Sequence, residues 1–342
     1  MPMTTVGNIV STRVLEARND GTDETAALQA AFAANGGPGL GYSKVTLRGA
    51  FRCNGAGVRL DGRFVVDAHE ASFNVSPESI IARARLFYTM PNACVIWSGG
   101  RFTAPGSPFP AGVEWRIGWY VDSCAEMSLS WATFVGFTDG VYVGGNVASD
   151  DVTLVGLAIS GSRRSGISIV HAARVEVVRC EIFDGAVGAT PGAGIEVEPN
   201  TGTSIGDVAI LRCDIARHEV GVYVQPGRGL PGDNMRILDC RIDGNRRYGL
   251  VVNAADGVVV AGNEITESPI GISIGGHTDD ARARRVVVAD NFVSSCPRPM
   301  LLTGVEGVAV AWNGLNVGGD SMSHRIEYPA LGVRGDVFVR ER

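Results

Sequence analysis

Short segments in which apolar and polar residues alternate recur along the chain from about residue 118 to residue 316. Alternation with period two, in segments rich in Val and Ile, predicts β-strands and not helices. One kind of segment opens with glycine, as in GVYVGG and GIEVEP. Its copies begin at Gly118, Gly140, Gly166, Gly194, Gly221, Gly249 and Gly271.

A second kind of segment places Cys or Asn before a final apolar strand, as in VEVVRCEI and VVVAGNEI. Its copies align Cys180, Cys213, Cys240, Asn263, Asn291 and Asn313 in one column, at intervals of 22 to 33 residues. A repeat of this length, built from short strands, predicts a solenoid in which each coil buries its apolar face against its neighbours. We therefore predict an all-β chain whose parallel strands wind into a β-helix, with the variable spacing taken up by loops.

The two ends of the chain depart from the repeat. Near the start, Thr22 or Asp23 can cap a helix that runs through Phe32 and is closed by Gly36 and Gly37. Such a helix would cover the open strand edges of the first coil. We predict a single domain over residues 1–342: an N-terminal segment with the cap helix (1–43), coils (44–318) and a C-terminal tail (319–342) with a strand at Val337–Val339.

Composition and charge limit the kinds of partner that the protein can bind. The net charge is −6, Lys44 is the sole lysine, and no basic run follows one face, which argues against nucleic acid. No apolar stretch has the roughly 18 residues of a membrane span, and no leader is evident at the start. The compartment stays open between cytoplasmic, virion-associated, and secreted with a leader removed. We expect the seven cysteines to be small buried core residues that neither form disulfides nor bind metal.

The opening NDGTDETAALQAAFAA, the later GVRLDGRFVV and the Asn263, Asn291, Asn313 column together resemble the pectate-lyase-like right-handed parallel β-helix superfamily. The resemblance covers almost the whole chain and implies an asparagine ladder between the second and third sheets. It also implies a polymer-binding face on the first sheet. It does not fix an activity, because this superfamily is similar across lyases, hydrolases, epimerases and tailspikes. The motifs typical of polygalacturonases and alginate epimerases are missing.

Alternation along the Gly-led strands predicts which side chains point outward on the first sheet. One outward column is Tyr120, Tyr142, Ser168, Glu196, Tyr223, Val251 and Ser273. The next is Asp122, Gly144, Val170, Glu198, Gln225, Asn253 and Gly275. Glu196 and Glu198 are two residues apart, so their Cα atoms should lie about 6.6 Å apart, a spacing that permits the carboxyl separation of either an inverting or a retaining hydrolase. Two like charges so close should also raise one pKa, as a general acid requires.

The turns that precede the Gly-led strands supply a second set of candidates. Stacking at about 4.8 Å per coil should bring His218 and Arg246 near Glu196 and Tyr223. We predict catalytic roles for Glu196, Glu198, Tyr223, His218 and Arg246. We predict substrate binding by Tyr120, Asp122, Tyr142, Arg164, Gln225, Arg247 and Asn253, with the tyrosines and Trp115 offering flat faces to sugars.

Three functions remain open from the sequence. The first is a carbohydrate-active enzyme that binds an oligo- or polysaccharide along the first sheet and hydrolyses it, or that cleaves or epimerises a uronate. The others are a non-catalytic glycan-binding or tailspike-like module and an enzyme for a small non-carbohydrate substrate. The protein is expected to be a monomer or a homotrimer. No cofactor or metal is expected, with calcium at Asp150–Asp151 or Asp279–Asp280 as the alternative. His69 and Glu70 are expected to be structural, and no Ser or Cys nucleophile motif stands out.

Overall fold

The computed structural model describes residues 8–33, 41–54, 56–76, 84–105, 116–185, 192–225, 234–275, 282–311, 313–316, 326–327 and 338–340. Within this part of the chain there is one helix, Thr25–Ala33, and all other regular structure is β-strand. In this part of the chain, strands pair in parallel with strands of the preceding and following coils, which confirms the predicted parallel β-helix.

The first sheet has eleven strands. They are Val58–Leu60, Ala84–Thr89, Arg116–Asp122, Asp139–Gly144, Ser165–Ile169, Ala193–Val197, Val220–Val224, Tyr248–Asn253, Ile270–Gly275, Arg298–Thr303 and Ile326–Glu327.

The second and third sheets are joined into one of 22 strands, because the long strands Tyr42–Cys53 and Arg63–Val75 run through both. The other strands of the second sheet are Ile9–Glu16, Cys94–Ser98, Glu126–Ser130, Val152–Val155, Ala172–Val178, Ile205–Leu211, Met235–Leu238, Val258–Ala261, Val287–Ala289, Ala309–Ala311 and Phe338–Arg340. Those of the third are Arg101–Thr103, Thr133–Val135, Ala158–Ser160, Glu181–Phe183, Asp214–Ala216, Arg241–Asp243, Glu264–Thr266, Phe292–Ser294 and Gly314–Asn316. A small pair, Ala283–Arg284 with Val305–Glu306, completes the set.

Close contact between coils explains the recurring glycine of the first sheet. A Cβ atom on Gly194 would lie 2.4 Å from Cγ2 of Ile215 and 2.7 Å from the carbonyl oxygen of Gly221. Neither distance is tolerable for carbon, so a side chain here would push two coils apart. The same pair of obstacles, an inner aliphatic side chain and the next coil's carbonyl, meets a Cβ at Gly140, Gly166, Gly221, Gly249 and Gly271.

The predicted asparagine ladder is present between the second and third sheets. Nδ2 of Asn263 donates to Oδ1 of Asn291 at 2.9 Å, and Nδ2 of Asn291 donates to Oδ1 of Asn313 at 2.9 Å. Each Nδ2 also donates to a backbone carbonyl of the preceding coil, such as that of Val260. Cys180, Cys213 and Cys240 continue this column as buried free thiols.

Aromatic rings fill the interior near the N-terminal end, which the sequence repeat does not cover. Phe51, Phe73, Phe102 and Phe134 stack in succession, with centroid separations of 5.4, 4.8 and 4.7 Å. From Ile159 onward the same column is aliphatic. Each coil thus packs on a neighbour of like shape.

The cap helix covers the first coil as predicted. Asp23 Oδ1 accepts from the backbone N–H of Thr25 at 2.9 Å, so Asp23 and not Thr22 fixes the start of the helix. Phe32 packs edge-on against Phe64 at 5.4 Å. Gln29 exchanges two hydrogen bonds with the backbone of Arg59, on the edge strand of the first sheet. A side-chain amide therefore satisfies backbone groups that an open edge would expose.

The glycines predicted to end the helix lie outside the described residues, as does the boundary at 318. The strand predicted at Val337–Val339 is observed at Phe338–Arg340, paired with Ala309–Ala311. The single-domain division remains a prediction. No helix in the described ranges has the length and apolar character needed to span a membrane.

The asparagine ladder should contribute measurably to stability. Asn291→Ala would leave the buried N–H of Asn263 and the carbonyl of Val260 without their partners. Each unsatisfied group costs about 1–3 kcal/mol, so we expect the free energy of unfolding to fall by about 2–4 kcal/mol. Urea denaturation measures this loss. Cys240→Ala, in the same column but with only weak thiol hydrogen bonds, is the matched control and should lose less; equal losses would contradict the assignment.

Candidate functional site

The two outward columns of the first sheet are in the predicted register. Tyr142 pairs with Ser168, Ser168 with Glu196, and Glu196 with Tyr223. The prediction that these positions face solvent is wrong for most of them, because nine of the fourteen are buried: Tyr120, Tyr142, Gly144, Ser168, Val170, Glu196, Val251, Ser273 and Gly275. Side chains on successive coils shield one another at the coil spacing of about 4.8 Å.

A buried ion pair covers the centre of this face. Arg164 donates from Nε and Nη2 to the two carboxylate oxygens of Asp139, at 3.1 and 2.8 Å. Asp139 is 1% exposed and also accepts from the backbone N–H of Ser165. Burial raises the pKa of Asp139, and the guanidinium of Arg164 opposes that rise. The bidentate geometry fixes the guanidinium plane of Arg164 beside Ser168.

Glu196 lies below this pair and is 4% exposed. Its Oε2 accepts hydrogen bonds from Ser165 Oγ at 2.8 Å and Ser168 Oγ at 3.1 Å. These two hydrogen bonds hold the Glu196 side chain in place, so it is not free to meet a substrate.

Glu198 is the titrating partner. Burial, together with a hydrogen bond to Glu196 and the charge of Glu196, raises the pKa of Glu198 to about 7. A large fraction of the Glu198 side chains therefore carries a proton near neutral pH. Unlike Glu196, Glu198 is only half-buried, so its proton is within reach of a ligand.

Polar side chains of the next two coils extend the site beside Glu198. Gln225 Nε2 donates to Glu198 Oε1 at 3.4 Å, and Gln225 Oε1 accepts from the hydroxyl of Tyr223 and from Asn253 Nδ2. Burial raises the pKa of Tyr223 to about 12, so its phenol is neutral. Of the predicted site residues, the fold therefore brings together Glu196, Glu198, Tyr223, Gln225 and Asn253, with Arg164 at the edge.

His218 and Arg246 do not join this group. His218 is fully buried; its Nε2 contacts the carbonyl oxygen of Ile182 at 3.2 Å and its backbone N–H donates to Asn245. Burial lowers the pKa of His218 to about 4, so the ring is neutral. Arg246 donates to the carbonyl of Gly185 and lies 3.9 Å from Glu219. The hydrogen bonds of His218 and Arg246 thus go to other groups and not to Glu196 or Tyr223, and because His218 is buried inside the solenoid wall its ring is not open to a substrate. Their proximity to Glu196 stays a prediction.

Tyr120 and Tyr142 are not open platforms either. Their rings stack on each other at 5.1 Å, and Tyr142 is 4% exposed. Arg85, which the Gly-led alignment omits, lies over Tyr120 at 4.3 Å and 3.9 Å from Asp122. This packing leaves edges, not faces, of the tyrosines for a ligand.

The remaining candidates are placed as follows. Arg247 is exposed, with its guanidinium over the ring of Tyr248 at 5.7 Å. Asp150 and Asp151 both pair with Arg174, at 2.7 and 2.5 Å. Trp115 and Asp279–Asp280 lie outside the described residues. Calcium binding remains a prediction.

The carboxyl pair sets limits on the chemistry. Hydrolase carboxyl groups lie about 5–5.5 Å apart in retaining enzymes and about 6.5–9.5 Å apart in inverting enzymes. Glu196 is 4% exposed and is engaged by two serine hydroxyls, so it cannot contact a glycosidic bond as a second reacting carboxyl group. Glu198 is the member of the pair that a ligand can reach.

Asp139 and Ser165 were not among the predicted site residues, although each directly precedes the glycine of a Gly-led strand. The residues before these glycines form a column of their own: Asp139, Ser165, Ala193, Val220, Tyr248 and Ile270. Asp139 and Ser165 are polar members of this otherwise mostly apolar column, and that is the signal that could have identified them.

A family model described as right-handed β-helix region matches residues 116–295. The match supports the predicted handedness. Comparison with curated proteins gives no match.

Several solved structures are similar in fold. The A-module of mannuronan C-5 epimerase AlgE4 from Azotobacter vinelandii is 12% identical, with a TM-score of 0.56 and coverage of 92% of this chain and 96% of that one. PfbA, a surface adhesin of Streptococcus pneumoniae, is 13% identical, with a TM-score of 0.58 and coverage of 95% and 93%. A double mutant of the tailspike of E. coli bacteriophage HK620 is 13% identical, with a TM-score of 0.67 and coverage of 93% of this chain and 62% of the tailspike. At these identities the likeness concerns the fold alone.

The charge of Glu196 should set the titration of Glu198. Glu196→Gln removes that charge, so the pKa of Glu198 should fall below its value of about 7, as followed by NMR of the side-chain carboxyl carbon. In the wild type, this raised pKa means that Glu198 favours the folded state at low pH and that the contribution is lost as pH rises from about 4.5 through about 7. Glu181→Gln, at an exposed position, is the control and should leave the titration of Glu198 unchanged. If the pKa of Glu198 were the same in Glu196→Gln as in the wild type, Glu196 would not be a cause of its rise.

Proposed function

Because the chain belongs to the right-handed β-helix family, we propose that it binds an oligo- or polysaccharide along the first sheet and cleaves it by proton transfer from Glu198. Two proteins of similar fold are named for saccharide partners: the mannuronan epimerase and a tailspike in complex with a pentasaccharide. The proposal rests above all on Glu198, a half-buried carboxyl group beside Glu196 whose pKa is raised to about 7. A general acid works best with a pKa near the working pH, and about 7 meets that condition.

The charge of the site favours a neutral sugar over a uronate. Glu196 is held by Ser165 and Ser168, and Arg164 is already paired with Asp139. A uronate carboxylate placed against Glu198 would lie beside Glu196, whose charge already raises the pKa of Glu198. The amides of Gln225 and Asn253 and the phenol of Tyr223 suit neutral hydroxyl groups instead.

The chemistry follows from the two protonation states of the pair. Glu198 gives its proton to the glycosidic oxygen as the bond to that oxygen breaks. The two adjacent carboxylates then stabilise the positive charge that develops on the sugar ring in an oxocarbenium-like transition state. Water adds to the ring carbon and returns a proton to Glu198. Glu196 serves as a positioning residue throughout, because both hydroxyl donors hold it in place.

A second candidate is a module that binds glycan without cleaving it. One observation favours it: the polar side chains of this face are held by one another, Glu196 by Ser165 and Ser168, and Gln225 by Glu198, Tyr223 and Asn253. Such a network can recognise a sugar and hold a rigid surface without chemistry.

Cleavage and binding by Glu198→Gln, together with the pH dependence of wild-type cleavage, separate these two functions. Glutamine mimics the protonated acid but cannot release a proton, so cleavage of neutral polysaccharides should fall by about 10²–10⁴-fold while binding is kept. Wild-type cleavage should fall as pH rises through about 7, because Glu198 loses its proton. Product mass measures cleavage, and calorimetry measures binding.

Glu181→Gln is again the control and should cleave like the wild type. Binding without cleavage in the wild type would favour the second candidate. Cleavage that survives in Glu198→Gln would place the reaction elsewhere.

A further inference from the structure

We infer that Ser98, His69 and Asp67 form a second active site, a serine esterase site at the junction of the second and third sheets. Ser98 would be the nucleophile, His69 the base and Asp67 the residue that positions His69. This site shares no residue with the carboxyl pair on the first sheet, and nothing in the proposed function uses it.

The three side chains form a continuous chain of contacts. Ser98 Oγ lies 3.3 Å from Nε2 of His69, and Nδ1 of His69 lies 2.9 Å from Oδ1 of Asp67. The hydrogen bond from His69 lowers the pKa of Asp67, so Asp67 is an acceptor at neutral pH. Nδ1 therefore carries the proton, and Nε2 is free to accept one from Ser98. These are the connections of a Ser-His-Asp triad, which is recognised by geometry and not by sequence order.

A β-bulge places His69 in reach of Ser98. The register of the strand Arg63–Val75 shifts against its neighbour, since Thr46 pairs with Asp67 but Arg48 pairs with Glu70. The extra residue turns both His69 and Glu70 outward, and bulges of this kind often re-aim a side chain beside an active site. Asp67 and Ser98 are direct partners on adjacent coils. The bulge thus adds His69 to a pair that the register already aligns.

The glycines after Ser98 complete the arrangement. A Cβ atom on Gly99 would lie 2.6 Å from the Cα of His69, so only glycine lets the two coils approach this closely. Gly99 and Gly100 both have positive φ, at 83° and 95°. The backbone N–H of Gly100 donates no hydrogen bond to any described residue. It is available, close to Ser98, to stabilise an oxyanion.

An exposed tryptophan indicates the substrate class. Trp131 is 59% exposed and has a φ of 55°, an unfavourable conformation for a bulky residue. It follows Ser130, whose Oγ is 3.2 Å from Ser98 Oγ, and its ring lies over Gly156 on the next coil. Ser98 pairs with Ser130, and Gly156 lies one coil further, so at about 4.8 Å per coil the ring is about 10 Å from Ser98. The site therefore fits a small acyl ester of an alcohol that carries a ring about 10 Å from the ester carbonyl, with that ring on Trp131.

The reaction is ester hydrolysis with water as co-reactant. Ser98 Oγ attacks the carbonyl carbon and its proton passes to Nε2 of His69. The carbon–oxygen bond to the alcohol breaks, and His69 gives the proton to the departing alkoxide oxygen. Water then attacks the acyl-Ser98 ester, losing a proton to His69, which returns it to Ser98 as the acid leaves.

The test uses the full chain with p-nitrophenyl acetate, an acetyl ester of a ring alcohol. Ser98→Ala should lower kcat by about 10² or more, and Asp67→Asn should lower kcat with KM unchanged. Trp131→Ala should raise KM for 4-phenylbutyl acetate, an acetyl ester whose ring can reach Trp131, and should leave KM for p-nitrophenyl acetate unchanged. A fluorophosphonate should form one adduct, which peptide mass spectrometry places on Ser98 in the wild type and which is absent from Ser98→Ala.

Ser128→Ala is the matched control, since Ser128 is another half-buried hydroxyl of the second sheet that touches no member of the triad. It should hydrolyse the ester at the wild-type rate, and so should Glu198→Gln, which separates this site from the first sheet. Equal urea midpoints would show that the variants are folded. Equal rates for wild type and Ser98→Ala, no hydrolysis above buffer, or no adduct on Ser98 would overturn the inference.

Discussion

Every feature of this protein depends on the parallel hydrogen bonding that stacks one coil on the next at about 4.8 Å. At that distance each residue lies against its counterpart above and below, so a column is stable only if its residues tolerate copies of themselves. Glycine does so where a Cβ would meet the next coil's carbonyl, and asparagine does so because its amide donates and accepts along the same line. Phenylalanine does so by stacking faces.

The first sheet shows how a buried carboxyl group is placed in such a column. Glu196 has a serine on one side and a tyrosine on the other, so no carboxylate lies directly above or below it. The neighbouring like charge comes instead from Glu198, two residues further along the chain, and it is Glu198 whose pKa is raised. The departure from like-on-like stacking is therefore also the origin of the raised pKa.

The same stacking brings polar side chains into contact at the junction of the second and third sheets. Asp67 and Ser98 are 31 positions apart in sequence yet direct partners in register, and a single bulged residue supplies the histidine between them. A solenoid wall presents many such neighbours on its outside. Irregular positions, such as the bulge at His69 and the glycines beside it, determine which of them can form a connected site.

The sequence by itself determined the coil repeat, the inward and outward columns, the asparagine ladder and the covering helix, because these follow from period-two alternation and from residues that recur at fixed places. It also identified Glu196 and Glu198 as close neighbours. Only the tertiary structure decided that His218 lies inside the wall, that Tyr142 is covered, and that Glu196 is buried while Glu198 stays within reach of a ligand. Alternation tells which way a side chain points, whereas burial and contact depend on the side chains of the coils above and below, and on turns that follow no repeat. For that reason the contact between Ser98 and His69, 29 residues apart, is visible only in the folded chain.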